Sequence, residues 1–415
     1  MNRRLNYRII TLLCLTAIVA GCEKGPGADT NNYETTVLQL PAGAGSMAPN
    51  LATGPDGTVV LSWIEPADEG NVLRYSVFDA GAWSDARTVA SGENWFVNWA
   101  DFPSVVPISD SQWAAHWLVR REAGGYAYDI HAALSDDGGQ TWSKTFLPHT
   151  DGTDTEHGFV TIFPDQDGIG MVWLDGRKFV NEYDENDVAA SGMTLRSAVF
   201  GKDGVAKKEV LVDDLICDCC QTDVAVTSRG PVAVYRDRTT EEIRDIYLTR
   251  SVEGEWQAGK PVGVDNFEIP GCPVNGPVIQ ASGDDLAVAW FSGDNEQPKV
   301  QVAWSTDAGQ TMTDPVRVAD GNLYGHVGGA MLPTGDMAVT WLGTAGDGRA
   351  ALHLRRVSSS GASGPDTVIA EAAGVAAFSV PQVMLVDESL LLAWTDTSGD
   401  ESQIRSAMVP LQVLQ

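Results

Sequence analysis

Two groups of residues in this 415-residue chain have the types and spacing to do chemistry. The first is built on sulfur. Cys217-Asp218-Cys219-Cys220 puts three sulfurs within four residues, and Cys272 precedes Pro273-Val274-Asn275 downstream. Besides Cys14 and Cys22 near the start, these are all the cysteines of the chain. An even set in an exported chain favours disulfides, and the pairing stays open. Cys272 can reach Cys217 or Cys219, or a vicinal Cys219–Cys220 bridge can leave Cys217 for Cys272. The same thiolates, with His157 one repeat before and His326 one repeat after, also suit copper or zinc, although Cys-x-Cys-Cys is not a zinc-finger spacing. No other cofactor is expected. The second group pairs guanidinium forks with carboxylates: Asp175-Gly176-Arg177, Arg236-Asp237-Arg238 and Arg121. Planar forks suit an anionic substrate group, with Asp175 and Asp237 as neighbours that orient them or exchange protons. Ion pairs that brace adjacent structural units are the alternative. The aromatics of Asn94-Trp95-Phe96-Val97-Asn98-Trp99 are suited either to stacking on a sugar ring or to packing.

The elements that must position these groups repeat. A short apolar strand carrying an aromatic recurs seven times, at Trp63, Trp117, Trp173, Tyr235, Trp290, Trp341 and Trp394, with spacings of 51 to 62 residues. Each copy has one apolar run before it and two after it. This predicts an all-β fold, a β-propeller of seven four-stranded blades, with Thr35 to Leu40 completing the last blade and closing the ring. Closure removes the unpaired edges of an open sheet. In a propeller the loops that enter each innermost strand and leave each second strand open on one face, so the groups above should meet at a central mouth. Arg74, Arg196, Arg244 and Arg405 recur near the start of third strands, which predicts a scaffold role. The stretches Ser135-Asp136-Asp137-Gly138-Gly139-Gln140-Thr141-Trp142 and Ser305-Thr306-Asp307-Ala308-Gly309-Gln310-Thr311 read as hairpin corners, with Asp accepting turn amides and Gly taking a positive φ.

Residues 1–22 read as an export signal: Arg3, Arg4 and Arg8, then apolar Ile9 to Ala20, too short to span a bilayer, then Val19-Ala20-Gly21-Cys22. That ending resembles a bacterial lipobox, which implies cleavage before Cys22 and its lipidation. Residues 23–32 read as a flexible tether, and residues 33–415 as a single propeller domain. The expected location is the cell envelope, in the periplasm or at the outer membrane, with the lipid anchor as the only membrane contact. The formal net charge is −29. Such a surface repels nucleic acid and anionic bilayers; a small-molecule ligand at the mouth and a monomeric chain are expected.

The Ser-x-Asp-x-Gly corners, with Ser135, Asp137, Gly139 and Trp142 in one copy and Ser305, Asp307 and Gly309 in the other, resemble the Asp box of the sialidase (neuraminidase) superfamily. Cys217-Asp218-Cys219-Cys220, Tyr235-Arg236-Asp237-Arg238 and Cys272-Pro273-Val274-Asn275-Gly276-Pro277 are similar to motifs of bacterial exported proteins of that sialidase-like type, across most of the mature chain. The resemblance implies a glycoside hydrolase of exo-α-sialidase type or a non-catalytic relative that binds a glycan or partner. It also implies an Arg triad drawn from Arg177, Arg236, Arg238 and Arg121, a nucleophile pair of Tyr324 with Glu156, and Asp101 as acid. The Phe/Tyr-Arg-Ile/Leu-Pro motif that carries the first triad Arg in sialidases is absent. Sialidases have six blades, so six is the alternative count.

Overall fold

The computed structural model describes residues 35–180, 191–294, 297–372, 374 and 379–415. The expected signal, Cys22 and the tether lie outside these residues. Seven antiparallel sheets follow one another along the chain and form a seven-bladed propeller. The second strands are Val59–Pro66, Trp113–Arg120, Gly168–Asp175, Gly230–Arg236, Asp285–Ser292, Met337–Thr344 and Ser389–Asp396.

Each recurring aromatic sits at one register, facing a fixed partner on the third strand. The pairs are Trp63 with Arg74, Trp117 with His131, Trp173 with Arg196, Tyr235 with Tyr247, Trp290 with Gln301, Trp341 with His353 and Trp394 with Arg405. Side chains alternate across a strand, so a residue at this register points to the same side in every blade. Arg74, Arg196 and Arg405 share that place. Arg244 does not, because it precedes the third strand Ile246–Val252 and turns towards the mouth instead.

The outermost strand is the least regular. It is Arg87–Gly92 in blade 1, Ala206–Ile216 in blade 3, Val316–Asp320 in blade 5 and Thr367–Ala372 in blade 6. In blade 2 it shrinks to a bridge between Ala132 and Phe146, and in blade 4 to Lys260–Pro261 beside the short Glu255–Trp256 hairpin strand. Blade 7 is completed by Thr36–Leu38, antiparallel to Gln403–Pro410, so the two ends of the chain close the ring.

The apolar interior is divided among the blade interfaces. Seven clusters of buried side chains each span two neighbouring blades, from blade 1 against 2 round to blade 7 against 1. The aromatics supply most of the large buried surface, and Trp63, Trp173, Trp290 and Trp341 are all 1% exposed or less.

Both Ser-x-Asp-x-Gly turns close in the same way. Ser135 Oγ donates to Asp137 Oδ1 at 2.8 Å and accepts the Gly139 N–H at 2.9 Å, while Thr141 N–H and Oγ1 donate to Asp137 at 2.8 and 2.6 Å. Ser305, Asp307, Gly309 and Thr311 repeat the pattern within 0.1 Å. Gly139 and Gly309 take φ of 79° and 77°, a region closed to most side chains. Burial works against the Asp307 charge, but the Thr311 amide and the Ser305 and Thr311 hydroxyls outweigh it and draw its pKa down to about 2. A depressed carboxyl stabilises the fold above its unfolded pKa and loses that contribution as pH falls through the folded value. Asp307→Ala should therefore lower the melting temperature at pH 7, and the gap from the parent should narrow as pH falls from about 4 towards 2 in a calorimetric series.

Candidate functional site

The innermost strands line a central channel with a cavity of about 480 Å³, whose walls include Asp101, Gln221 and His326. Several chain segments enter this mouth in an unfavourable backbone conformation. Ala48, Phe159, Val274, His326 and Ser379, which lead into five of the innermost strands or begin them, all have φ between 50° and 56°. The left-handed region costs a non-glycine residue about 1 kcal/mol or more, and such strain concentrates at functional sites.

The loop after blade 1 covers the mouth. Trp95 and Phe96 are buried, Trp95 stacking on Trp117 at 5.7 Å. Beyond them the loop reaches across the ring. The Ala100 carbonyl accepts Gln221 Nε2 of blade 4 at 2.8 Å, and Trp99 stacks on His326 of blade 6 at 5.2 Å and 21°. Trp99 remains 39% exposed, so one face of the loop is open to a ligand.

Next to that loop a tyrosine hydroxyl is shared by two carboxyls. The Tyr128 hydroxyl is 2.8 Å from Asp101 Oδ2 and 2.7 Å from Glu156 Oε1. A phenol carries one proton, so it donates to only one of these carboxyls, and the other must bring a proton of its own. Both carboxyls are shifted accordingly. Burial pushes Asp101 up to about 7, against the pull of Tyr128 and the Phe159 amide. Burial, with the charges of Asp101 and Asp218, pushes Glu156 up to about 8. Burial and the same two carboxyls hold the Tyr128 phenol well above its ordinary value. Phe96 lies flat on the Tyr128 ring at 4.0 Å, and Gly158 passes so close that a Cβ there would collide with Asp101.

Asp101 and Glu156, singled out in the sequence, are thus brought together, but the tyrosine between them is Tyr128. Tyr324 is half-exposed at the start of the innermost strand of blade 6, where its carbonyl accepts Asn275 Nδ2 at 3.2 Å. Tyr128 escaped notice because it alternates with Ile130, Ala132 and Leu134 on the third strand of blade 2, where it reads as core. A signal was present in the neighbouring Gly158, a residue without a side chain where the strand enters.

The expected arginine clamp is already occupied by the protein. Arg236, 2% exposed, donates to the carbonyls of Asn275, Arg244 and Phe291 at 2.8, 2.6 and 2.7 Å, which ties blade 4 to blade 5. Arg238 joins Asp218 and Glu242, Arg177 grips Asp175 with two nitrogens and reaches Glu209, and Arg121 holds Asp129 and Asp154. Asp237 is raised to about 7 by burial and by the charge of Asp213.

Cys219 and Cys272 form a disulfide with Cα atoms 6.1 Å apart, while Cys217 and Cys220 are free and buried. The histidines do not join them. His157 stacks flat on His149 at 3.8 Å among Asp129, Asp151 and Asp175, with Asp151 Oδ2 3.2 Å from its Nε2. His326 Nδ1 is 2.7 Å from the Ser379 carbonyl.

Two outcomes test this geometry. Asp101 and Glu156 retain protons in the folded chain over a range where the unfolded chain has lost them. Their contribution is therefore intact below about pH 4 and is lost as pH rises through about 7 and 8. Glu156→Gln keeps the shape without the titration, so its melting temperature should fall less than the parent's between about pH 5 and 9. Arg236→Met leaves three buried carbonyls unpaired and should destabilise the fold by roughly 3 kcal/mol or more in a denaturant titration.

No protein-family profile matches the chain, and no curated protein matches it. Among solved structures it is similar to a Dyadobacter fermentans protein described as of unknown function, at 13% identity and TM-score 0.52, covering 91% of this chain and 98% of that one. It is also similar to an α-L-arabinofuranosidase of Fusarium graminearum in complex with an iminosugar inhibitor, at 10% identity and TM-score 0.50, covering 90% and 99%. A fungal alcohol oxidase in complex with copper aligns at 11% identity and TM-score 0.53, covering 92% and 77%. At such identities the likeness is one of fold: the chain is a β-propeller, and its chemistry has to be argued from its own mouth.

Proposed function

We propose that this chain is an exported, lipid-anchored propeller that acts on glycans at its mouth through Tyr128, Glu156 and Asp101. The observation that carries this reading is the Tyr128 hydroxyl shared by two carboxyls, both raised to near neutrality. A tyrosine with a glutamate partner and an aspartate beside it is the set that the sialidase resemblance implies. Glu156, once ionised, takes the phenolic proton as Tyr128 attacks the anomeric carbon. Asp101, protonated by its burial, gives a proton to the leaving oxygen. The Fusarium graminearum α-L-arabinofuranosidase of similar fold is in complex with an iminosugar inhibitor, which supports a carbohydrate ligand. Export and anchoring rest on Val19-Ala20-Gly21-Cys22.

Tyr128 is fully buried, so turnover requires the loop at 94–102 to lift Phe96 from the ring. That burial, with every named arginine already paired, favours a second reading: a propeller that binds a glycan without cleaving it. Trp99 and the 68% exposed Tyr126 would then offer the stacking surface.

Protein exported with Cys22→Ser should be offered 4-methylumbelliferyl sialosides and arabinofuranosides and screened on a glycan array. Turnover that falls roughly 10²-fold or more in Tyr128→Phe is the expected result. Binding that Trp99→Ala abolishes and Tyr128→Phe leaves intact would establish the second reading. Neither turnover nor glycan binding would sink both.

A further inference from the structure

The free thiols at the mouth have no part in the glycan reading. Cys217 and Cys220 are 1% and 2% exposed, and their sulfurs, with that of Cys219, all lie within 4.8 Å of one another. Cys219 is taken by Cys272, so the brace between the segments entering blades 4 and 5 is already made without the remaining pair. The pair is held in place from both sides. The Cys217 amide donates to the Arg236 carbonyl at 3.0 Å, and Arg244 Nη1 lies 3.6 Å from Cys217 Sγ. Arg244 is itself almost wholly buried, and its other nitrogens are anchored by Glu242. A guanidinium aimed at a buried sulfur makes sense where that sulfur carries negative charge.

We propose that Cys217 and Cys220 form a binding site for a soft monovalent cation, Cu(I), held between two thiolates. The ligand count decides the metal. Zinc in a closed site takes four ligands. Here two thiolates are free, and the histidines that would complete a zinc site are engaged elsewhere, His157 by Asp151 and His326 by Ser379. Cu(I) accepts two thiolates, and thiolate sulfur selects it over harder ions. Charge also balances. Cys217 enters as the thiolate that Arg244 faces, Cys220 loses its proton to solvent, two Cu–S bonds form, no electron moves, and the product carries one negative charge opposite Arg244. Asp218, between Cys217 and Cys219 in the chain, is 29% exposed, which puts a partly exposed carboxylate beside the buried sulfurs. The Cys219–Cys272 bond takes no part.

The test is anaerobic titration of the mature chain with Cu(I) against bathocuproine disulfonate, followed by native mass spectrometry and alkylation of thiols after denaturation. One Cu(I) per chain and two alkylatable thiols in the copper-free protein are expected. Cys217→Ser and Cys220→Ser should each weaken retention at least 100-fold, while His326→Ala leaves it unchanged. Cys220→Ala, which puts a smaller side chain in the same place, carries the test should the serine variants fail to fold. The proposal is overturned by copper retention that survives in these variants, by one zinc bound in place of copper, or by a second disulfide linking Cys217 to Cys220 in the exported protein.

Discussion

The structure depends on packing between blades. Among the described residues every buried cluster is shared by two neighbouring sheets, so a blade is stabilised by having both neighbours in place. Burial of apolar surface is the main favourable term in folding, and here it accrues interface by interface around a circle. The last blade takes its outermost strand, Thr36–Leu38, from ahead of the first blade, so the ring is also closed by backbone pairing with Gln403–Pro410. The same circular logic reaches the mouth. Arg236 spans from blade 4 to carbonyls of blade 5, Gln221 joins the entry segments of blades 4 and 5 to the covering loop, and Trp99 rests on blade 6. The groups at the mouth are therefore positioned by the ring as a whole.

A rigid mouth makes burial of charge affordable only where each charge has a partner. The surface is strongly acidic, yet carboxylates of blades 2 and 3 are gathered on arginines, Asp175 and Glu209 on Arg177 and Asp129 and Asp154 on Arg121. Where no cation is at hand, the carboxyls resolve the cost of desolvation by keeping their protons, as Asp101 and Glu156 do around Tyr128. The two regimes lie side by side in blades 2 and 3. One is a salt-bridged network that is charged and satisfied, and the other a shared-proton pair poised to titrate near neutrality.

The fold was legible because its signals are local and repeated. One aromatic per repeat, with even spacing, follows directly from a register that holds in all seven blades, and the turn residues act within five positions of chain. The site was legible only in part. Asp101 and Glu156 were found because both precede innermost strands, a position that repeats. Tyr128 was missed because its apolar neighbours at alternate positions give it the pattern of a core residue, and its polar end is revealed only by what stands opposite it. Arg244 was misplaced by two or three residues, enough to move it from the blade interface to the thiols. Pairing of Cys219 with Cys272 was one of several open choices, since spacing restricts which cysteines meet without choosing among neighbours in the same turn.

The arginines show why a clamp cannot be read from residue type and ring position alone. A fork that binds substrate must be free, or must hold a partner it can exchange. Arg236 satisfies neither condition, since its three partners are backbone carbonyls that belong to the blades and cannot leave without opening the joint between them. Arg121 and Arg177 differ in kind. Their partners are side-chain carboxylates, and both guanidiniums are about a fifth exposed, at 23% and 22%. Of these partners Asp154 is 65% exposed, so Arg121 can release it to an incoming anion at little cost, whereas Asp175 is fully buried and would be left as an unpaired charge if Arg177 let it go. Of these three forks, Arg121 is therefore the one that could give up a partner to an anion. Its other partner, Asp129, follows Tyr128 on the third strand of blade 2, so that fork is on the same blade as the phenol shared by Asp101 and Glu156.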